Sequence, residues 1–293
     1  MNYRIACCQT DSEPGNKQEN LSRGIEFLHR AGKAGAKLAV LPELWLTGFS
    51  SSMTGRIPEL AEDVPGPATS QLGKVAKDYG MYVVAGLIER DPRAAAVLFN
   101  TAVLIGKHGD VLGRYRKTHL VTYLYTLPYV YAESEFFRQG DVLPVFQTDL
   151  GTMGMLICQD TLFPETSRVL TVKGAEIIVA IFASPKQFAD VLPIQSRTCS
   201  IHNGTITVAV NQVGKDTLLD YNGNEFVVEW HGGSHIVDPF GNMIKRGKLF
   251  EEDLVVEDIE TDDVFKARWE SKFLRDRRPE IYSALTRRDE TAG

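Results

Sequence analysis

"GMLICQDTLFPE", residues 154–165, sets a short apolar run against a turn carrying a thiol and two carboxylates. Met155, Leu156 and Ile157 read as a buried strand, and Gly154 lets neighbouring backbone approach closely. Cys158 falls where that strand ends and Gln159–Asp160 begin a polar turn. A buried cysteine is ordinarily a small hydrophobe. At the C-terminal end of a strand in an α/β sheet, the same residue stands where such folds carry their sites. This stretch alone leaves both readings open.

Outward from it, strands and helices alternate. Downstream, a helix is expected from about Pro164 to Lys173, stopped by Gly174, then a strand at Ile177–Ile181 and a helix near 189–202 closed by Asn203–Gly204. "TITVAVN" (205–211), a hairpin in "GGSHIVDPFGNMIKRG" (232–247) turning at Asp238–Gly241, and the strand "DLVVEDI" (253–259) follow. Upstream, Ile5–Cys8 is a strand, and Asn16 with Glu19 resembles a capping box opening a helix with Leu21, Ile25 and Leu28 on one face. Leu38–Leu41 is a strand stopped by Pro42. Thr69 or Ser70 caps a helix running to about Tyr79, "MYVVAGL" (81–87) is a strand, and residues 100–117 form a hairpin turning at His108–Gly109–Asp110. The arginine-rich tail from Phe265 reads as an exposed helix plus extension. No low-complexity linker interrupts the chain, so one domain is expected. Alternating elements with intervening hairpins imply mixed sheets covered by helices.

The chain has 293 residues, 43% apolar and 24% charged, with a net charge of -6, which is ordinary globular composition. No Lys/Arg run is long enough to track phosphates, so nucleic acid is disfavoured as a partner. No segment is long and apolar enough to span a bilayer, so no membrane partner is expected. The start reads as a strand and not as a signal peptide, which points to a cytoplasmic protein with free thiols. Of the four cysteines, Cys7 and Cys8 point to opposite faces of one strand, and Cys199 reads as packing. With no C-x-x-C or H-x-x-x-H pattern, neither a metal nor another cofactor is called for.

Two other strands end in ionisable residues: "LAVLPE" in Glu43 and "VLGRYRK" in Lys117. An acid, an amine and a thiol closing three strands suit acyl-transfer chemistry. Glu43 can take the thiol proton if confinement raises its pKa, and Lys117 can favour the thiolate and then steady an oxyanion. The backbone N–H of Gln159 is a second oxyanion donor in this reading. Against it, a Glu after Leu-Pro also reads as a solvated turn residue, and Lys117 beside Arg114 and Arg116 as an exposed strand edge. Composition and spacing do not bring the three together.

The segments "LPELWLTGF" (41–49), "YRKTHL" (115–120) and "ICQDTLFPE" (157–165) resemble the nitrilase superfamily of carbon–nitrogen hydrolases. Support comes from "NTAVLIGKHGDVLGRYRKTHL", "HNGTITVAVNQVG" and "GGSHIVDPFGNMI", in the family's order from about residue 3 to 260. The resemblance implies an αββα four-layer sandwich over residues 1–264, with 265–293 as a C-terminal extension in subunit contacts of a homodimer or higher oligomer. It implies a triad carried by Glu43, Lys117 and Cys158. A second glutamate, which "ESEFFRQGD" (133–141) assigns to Glu133 and not to Glu135, holds Lys117 and orients substrate. Asp160 and Glu165 read as turn and salt-bridge residues, with Arg168 a partner. A Cys–His mechanism would need a histidine beside Cys158, and His119 is the one near a site segment.

The implied activity is hydrolysis of a small linear amide through a Cys158 thioester. True nitrilases resemble Cys-Trp-Glu after the nucleophile, where this chain has Cys158-Gln159-Asp160, so nitriles rank lower. The alternatives are an N-carbamoyl (ureido) amidohydrolase and, outside enzymes, an interaction module that kept the fold. Carbamoyl-amino-acid hydrolases that carry arginine after the Cys-x-Asp turn have Thr161 and Leu162 as counterparts here, so an anionic substrate would need another fork such as Arg138 or Arg197. The segment "THLVTYLYTLPYVYAES" (118–134) reads either as packing or as an aromatic wall beside the lysine. On the second reading Tyr123, with Trp45, Phe49, Phe163 and Gln159, binds substrate and favours apolar or aryl acyl groups.

Overall fold

Apolar strands with side chains buried on both faces need cover on both sides. The computed structural model, which describes residues 2–48, 55–121, 133–219 and 224–286, supplies it with sheets and helices. The first half runs β1 (Asn2–Gln9), α1 (Lys17–Lys33), β2 (Ala36–Val40), α2 (Ile57–Leu60), α3 (Pro67–Tyr79), β3 (Tyr82–Asp91), β4 (Ala94–Ile105) and β5 (Val111–Arg116). The second half runs β6 (Val145–Thr148), β7 (Gly151–Ile157), α4 (Pro164–Val172), β8 (Ile177–Phe182), α5 (Val191–Asn203) and β9 (Ile206–Asn211). It ends with β10 (Val213–Leu219), β11 (Glu225–His231), β12 (His235–Val237), β13 (Met243–Arg246), β14 (Asp253–Glu260) and α6 (Asp262–Ser271).

Two six-stranded mixed sheets result, in the orders β14-β1-β2-β3-β4-β5 and β13-β12-β9-β8-β7-β6. Their facing sides share one core: Ile5, Cys7, Val40 and Val84 from one sheet, Met155, Ile157, Val179 and Val208 from the other. The outer face of the first sheet packs Ala6, Cys8 and Val83 against Leu28 of α1 and Leu72 of α3. The outer face of the second packs Leu156, Ile178 and Ala209 against Leu170 of α4 and Leu192 of α5. The expected αββα sandwich is present, and Cys7 and Cys8 part to opposite faces as strand geometry requires.

Some local expectations are corrected. Asn16 caps α1, accepting from the Glu19 N–H, but α3 starts at Pro67. Thr69 is its third residue, and its hydroxyl accepts from the Gly66 N–H, so the capping group lies inside the helix. The tail helix begins at Asp262 and not at Phe265. Gly154 makes room for the Leu170 side chain of α4, not for backbone. The β10–β11 hairpin adds to the expected elements: its strands pair with each other and lie in neither large sheet.

The topology decides where functional groups emerge. β2 and β3 are parallel, and two antiparallel reversals through β4 make β5 parallel to β3. The chain after β2 and the chain after β5 therefore leave the sheet at one end, and β7, parallel to β8, ends at Cys158.

Candidate active site

Glu43 sits in a turn pressed onto β3 at Gly86, where a Cβ would lie 2.6 Å from the Pro42 carbonyl oxygen and 2.8 Å from the Glu43 Cα. Only a residue without a side chain lets this turn pack so low. Lys117 follows β5, its N–H donating to the Asn100 carbonyl of β4 at 2.9 Å. Cys158 follows β7 with φ +42°, the left-handed region that costs a non-glycine residue about 1–2 kcal/mol. Strain of this kind at a strand end points the side chain away from the course an ordinary turn would give it.

Glu43, Lys117 and Glu133 are all buried and joined in one network. Lys117 Nζ lies 2.9 Å from Glu43 Oε1 and 2.7 Å from Glu133 Oε2. Asn100 Nδ2 donates to Glu43 Oε1 at 2.7 Å and to Glu133 Oε1 at 2.9 Å. The N–H groups of Ala183 and Val121 complete the set, on Glu43 Oε2 and Glu133 Oε2, each at 2.8 Å. Every carboxylate oxygen thus has a donor, which is the condition for keeping such charges out of water. The Ala183 backbone also favours the ionised sulfur of Cys158, as the smallest of the influences on it.

The electrostatics follow. Burial pushes the Glu43 carboxyl above its usual range, with Glu133 adding to the shift and Lys117 and Asn100 opposing it. Burial works against the Lys117 ammonium, but Glu133 and Glu43 outweigh it and the net shift is upward, so Lys117 stays charged. Burial, then Glu43, pushes the Cys158 thiol up, and Lys117 only partly offsets them. Lys117 favours the thiolate as expected, but burial and Glu43 outweigh it, so the thiol is held above its ordinary range with the Glu43 carboxyl beside it.

These groups open onto a cavity of about 100 Å³ lined by Glu43, Lys117 and Cys158. Its walls include Val121, Phe182, Phe188, Leu192 and Trp230, with Gln159, Thr161 and Gln195 as polar groups. Of the residues expected to bind substrate, Gln159 lines it. Trp45 does not: it is buried on the far side of the sheet, its ring packed onto Gly24 of α1. Phe163 stacks on His119, centroids 3.9 Å apart, and is 37% exposed outside the cavity lining. Phe49 and Tyr123 lie outside the described residues. Glu135 is exposed, Arg197 Nε is spent on the Gly241 carbonyl at 2.8 Å, and neither Arg138 nor Arg197 lines the cavity. Arg168 meets the His202 carbonyl and the Phe273 ring and is no partner of Asp160. Asp160 instead accepts from the segment after Lys117, His119 included. Sequence reasoning missed Asn100, Ala183 and Trp230. An asparagine inside the apolar strand "LFNTAVLI" was a visible signal for the first; a backbone amide gives none.

Residues 4–268 match the family model described as carbon-nitrogen hydrolase. The chain belongs to this family. Over 288 residues, carbon–nitrogen hydrolase similarity reaches 33% identity with a nitrilase from Pyrococcus abyssi, covering 93% of this chain and 99% of the relative. Among solved structures, the carbon-nitrogen hydrolase of Helicobacter pylori G27 superposes with TM-score 0.88 at 25% identity, covering 98% and 99% of the two chains. An amidase mutant from Nesterenkonia sp. AN1, in which the acetamide moiety of fluoroacetamide is covalently added at the active site cysteine, superposes with TM-score 0.78 at 26% identity, covering 96% of each. This carbon–nitrogen hydrolase has no helix, among its described residues, long and apolar enough to cross a membrane.

Proposed function

We propose that the protein is a thiol amidohydrolase that converts a small linear amide to a carboxylic acid and ammonia. The observation that carries this reading is the convergence of Glu43, Lys117 and Cys158 on one small apolar cavity, with Glu133 fixing the lysine. As the sulfur attacks the amide carbon, its proton passes to Glu43, and the new oxyanion meets the Lys117 ammonium. Glu43 returns that proton to the departing nitrogen, ammonia leaves and a Cys158 thioester remains. Glu43 then takes a proton from water, whose oxygen attacks the thioester. The C–S bond breaks, and the sulfur recovers its proton.

The cavity argues for a short acyl group. A 150 Å³ apolar cavity is enough to take benzene, and about 100 Å³ is less. This narrows the expected apolar or aryl acyl group to a short aliphatic one. Among the described lining residues Lys117 is the one cation, and it is committed to two carboxylates, which disfavours a carboxylate-bearing ureido substrate. In the same reading a second copy of the chain pairs against α4, α5 and the tail after residue 264, where Val172, Ile194 and Ile201 are exposed.

Ammonia release from a panel of short amides, aryl amides, N-carbamoyl amino acids and nitriles tests the proposal. Short neutral amides should give the highest kcat/KM, Cys158→Ala should abolish turnover, and Cys199→Ala should leave it intact. A preference for N-carbamoyl amino acids or nitriles, or activity of Cys158→Ala within tenfold of the unaltered protein, overturns it.

A further inference from the structure

The carboxylate of Asp160 is buried and does not line the cavity, yet five donors converge on it. Oδ1 accepts from the Thr118 hydroxyl at 2.9 Å, the His119 N–H at 2.9 Å and His119 Nδ1 at 3.0 Å. Oδ2 accepts from the Tyr115 hydroxyl at 2.7 Å and the Ile157 N–H at 3.0 Å. Three of these residues, Tyr115, Thr118 and His119, flank Lys117 in sequence. The fourth, Ile157, immediately precedes Cys158. One side chain therefore joins the turn that carries the sulfur to the segment that carries the ammonium.

That turn needs holding. Cys158 is in the left-handed region, and the Thr161 hydroxyl donates to its carbonyl at 2.8 Å on the other side. The ammonium end is fixed by Glu43 and Glu133, so what remains free to vary is the position of the sulfur against that assembly. We infer that Asp160 is a positioning residue: it clamps the Cys158 turn to the Lys117 segment and sets the approach of sulfur to ammonium on which turnover depends. The inference rests on the proposed amide hydrolysis. It gives the Cys-x-Asp spacing a reason, because an aspartate two residues past the thiol can reach back to the Ile157 N–H and across to residues 118 and 119.

An amide cannot replace the carboxylate. Each oxygen faces a backbone N–H, His119 on one side and Ile157 on the other, so either orientation of an asparagine turns its NH₂ against a donor that cannot rotate away. Misplacement of reacting groups by about 1 Å can reduce rate about 100-fold. The cavity walls formed by Phe182, Leu192 and Trp230 do not depend on Asp160, so ground-state binding should persist.

The experiment compares Asp160→Asn, Tyr115→Phe and Thr118→Ala with the unaltered full-length protein. Steady-state hydrolysis of a short amide gives kcat and KM on the folded fraction recovered by gel filtration. There kcat is expressed per Cys158 labelled by iodoacetamide in that fraction, read by peptide mass, so that unfolded molecules are removed before counting. Asp160→Asn is expected to lower kcat per labelled site about 100-fold with KM within about threefold. Tyr115→Phe and Thr118→Ala, each losing one donor, are expected to lower it roughly three- to tenfold with their thermal transitions kept. Unchanged kcat per labelled site in Asp160→Asn overturns the inference. If that variant does not fold, unaltered kcat in both milder variants overturns it equally. Should the unaltered protein hydrolyse no amide while Cys158 still labels, the amide reading fails, and the clamp is then judged by the labelling rate, expected to fall at least tenfold in Asp160→Asn.

Discussion

Replacing Asn100 by leucine removes a buried donor from between two carboxylates while nearly conserving volume. Asn100 Nδ2 bonds Glu43 Oε1 at 2.7 Å and Glu133 Oε1 at 2.9 Å. A hydrogen bond to a charged group contributes about 1.5–3 kcal/mol, and one of the two falls on Glu43. In the native site this bond favours the ionised carboxylate, opposing the upward push of burial. Without it ionising Glu43 costs about 1.5–3 kcal/mol more, roughly ten- to hundredfold in the ionisation equilibrium at about 1.4 kcal/mol per tenfold, in the direction burial already pushes. A base that must be ionised is then lost at higher pH, so the acidic limb of kcat/KM moves upward accordingly. The assay is the pH dependence of ammonia release between pH 4.5 and 8.5, with a thermal melt at pH 7.5 to confirm folding. A folded Asn100→Leu protein whose acidic limb stays in place would refute Glu43 as the base, or Asn100 as its stabiliser.

The two neighbouring glutamates should separate cleanly. Glu133→Gln weakens the 2.7 Å tie to Lys117 and should lower kcat tenfold or more, whereas Glu135→Gln, at an exposed position, should be silent in the same kinetics. Acid stability should follow buried His231 and His235, whose pKa values burial pushes down to about 4, with Arg246 adding to the shift in both. Between the unfolded value near 6.5 and about 4 the unfolded chain binds protons that the native state refuses. Stability is therefore complete above pH 6.5 and falls as pH drops, by about 1.4 kcal/mol per pH unit for each group. Urea midpoints from pH 7 to 4.5 should show this, and His235→Gln, which keeps a donor for the Gly233 carbonyl, should flatten the slope; parallel curves would refute the assignment.

The strand end at Cys158, the Asn16 cap and two hairpin turns were legible in the sequence because they depend on neighbours, whereas the α3 cap was not. The apolar run 154–157 closed by Cys158, the Asn16 cap, and the turns at Gly109 and Asp238–Gly241 are local facts of periodicity and φ preference. The αββα expectation came from resemblance of spaced motifs, and the paired sheets bear it out. Trp45 shows the limit: sequence sets it two residues from Glu43, but successive chain directions carry it to the opposite side of the sheet, onto Gly24. Asn100 and Ala183 lie 57 and 140 residues from Glu43, and only the folded register brings their donors to its carboxylate. The thiol's protonation is also tertiary, since burial and two carboxylates set it against one lysine. The sequence by itself determined which groups could react. Tertiary structure decided which of them meet, because burial and distance, the quantities that set charge and reach, exist only once the two sheets have closed on each other.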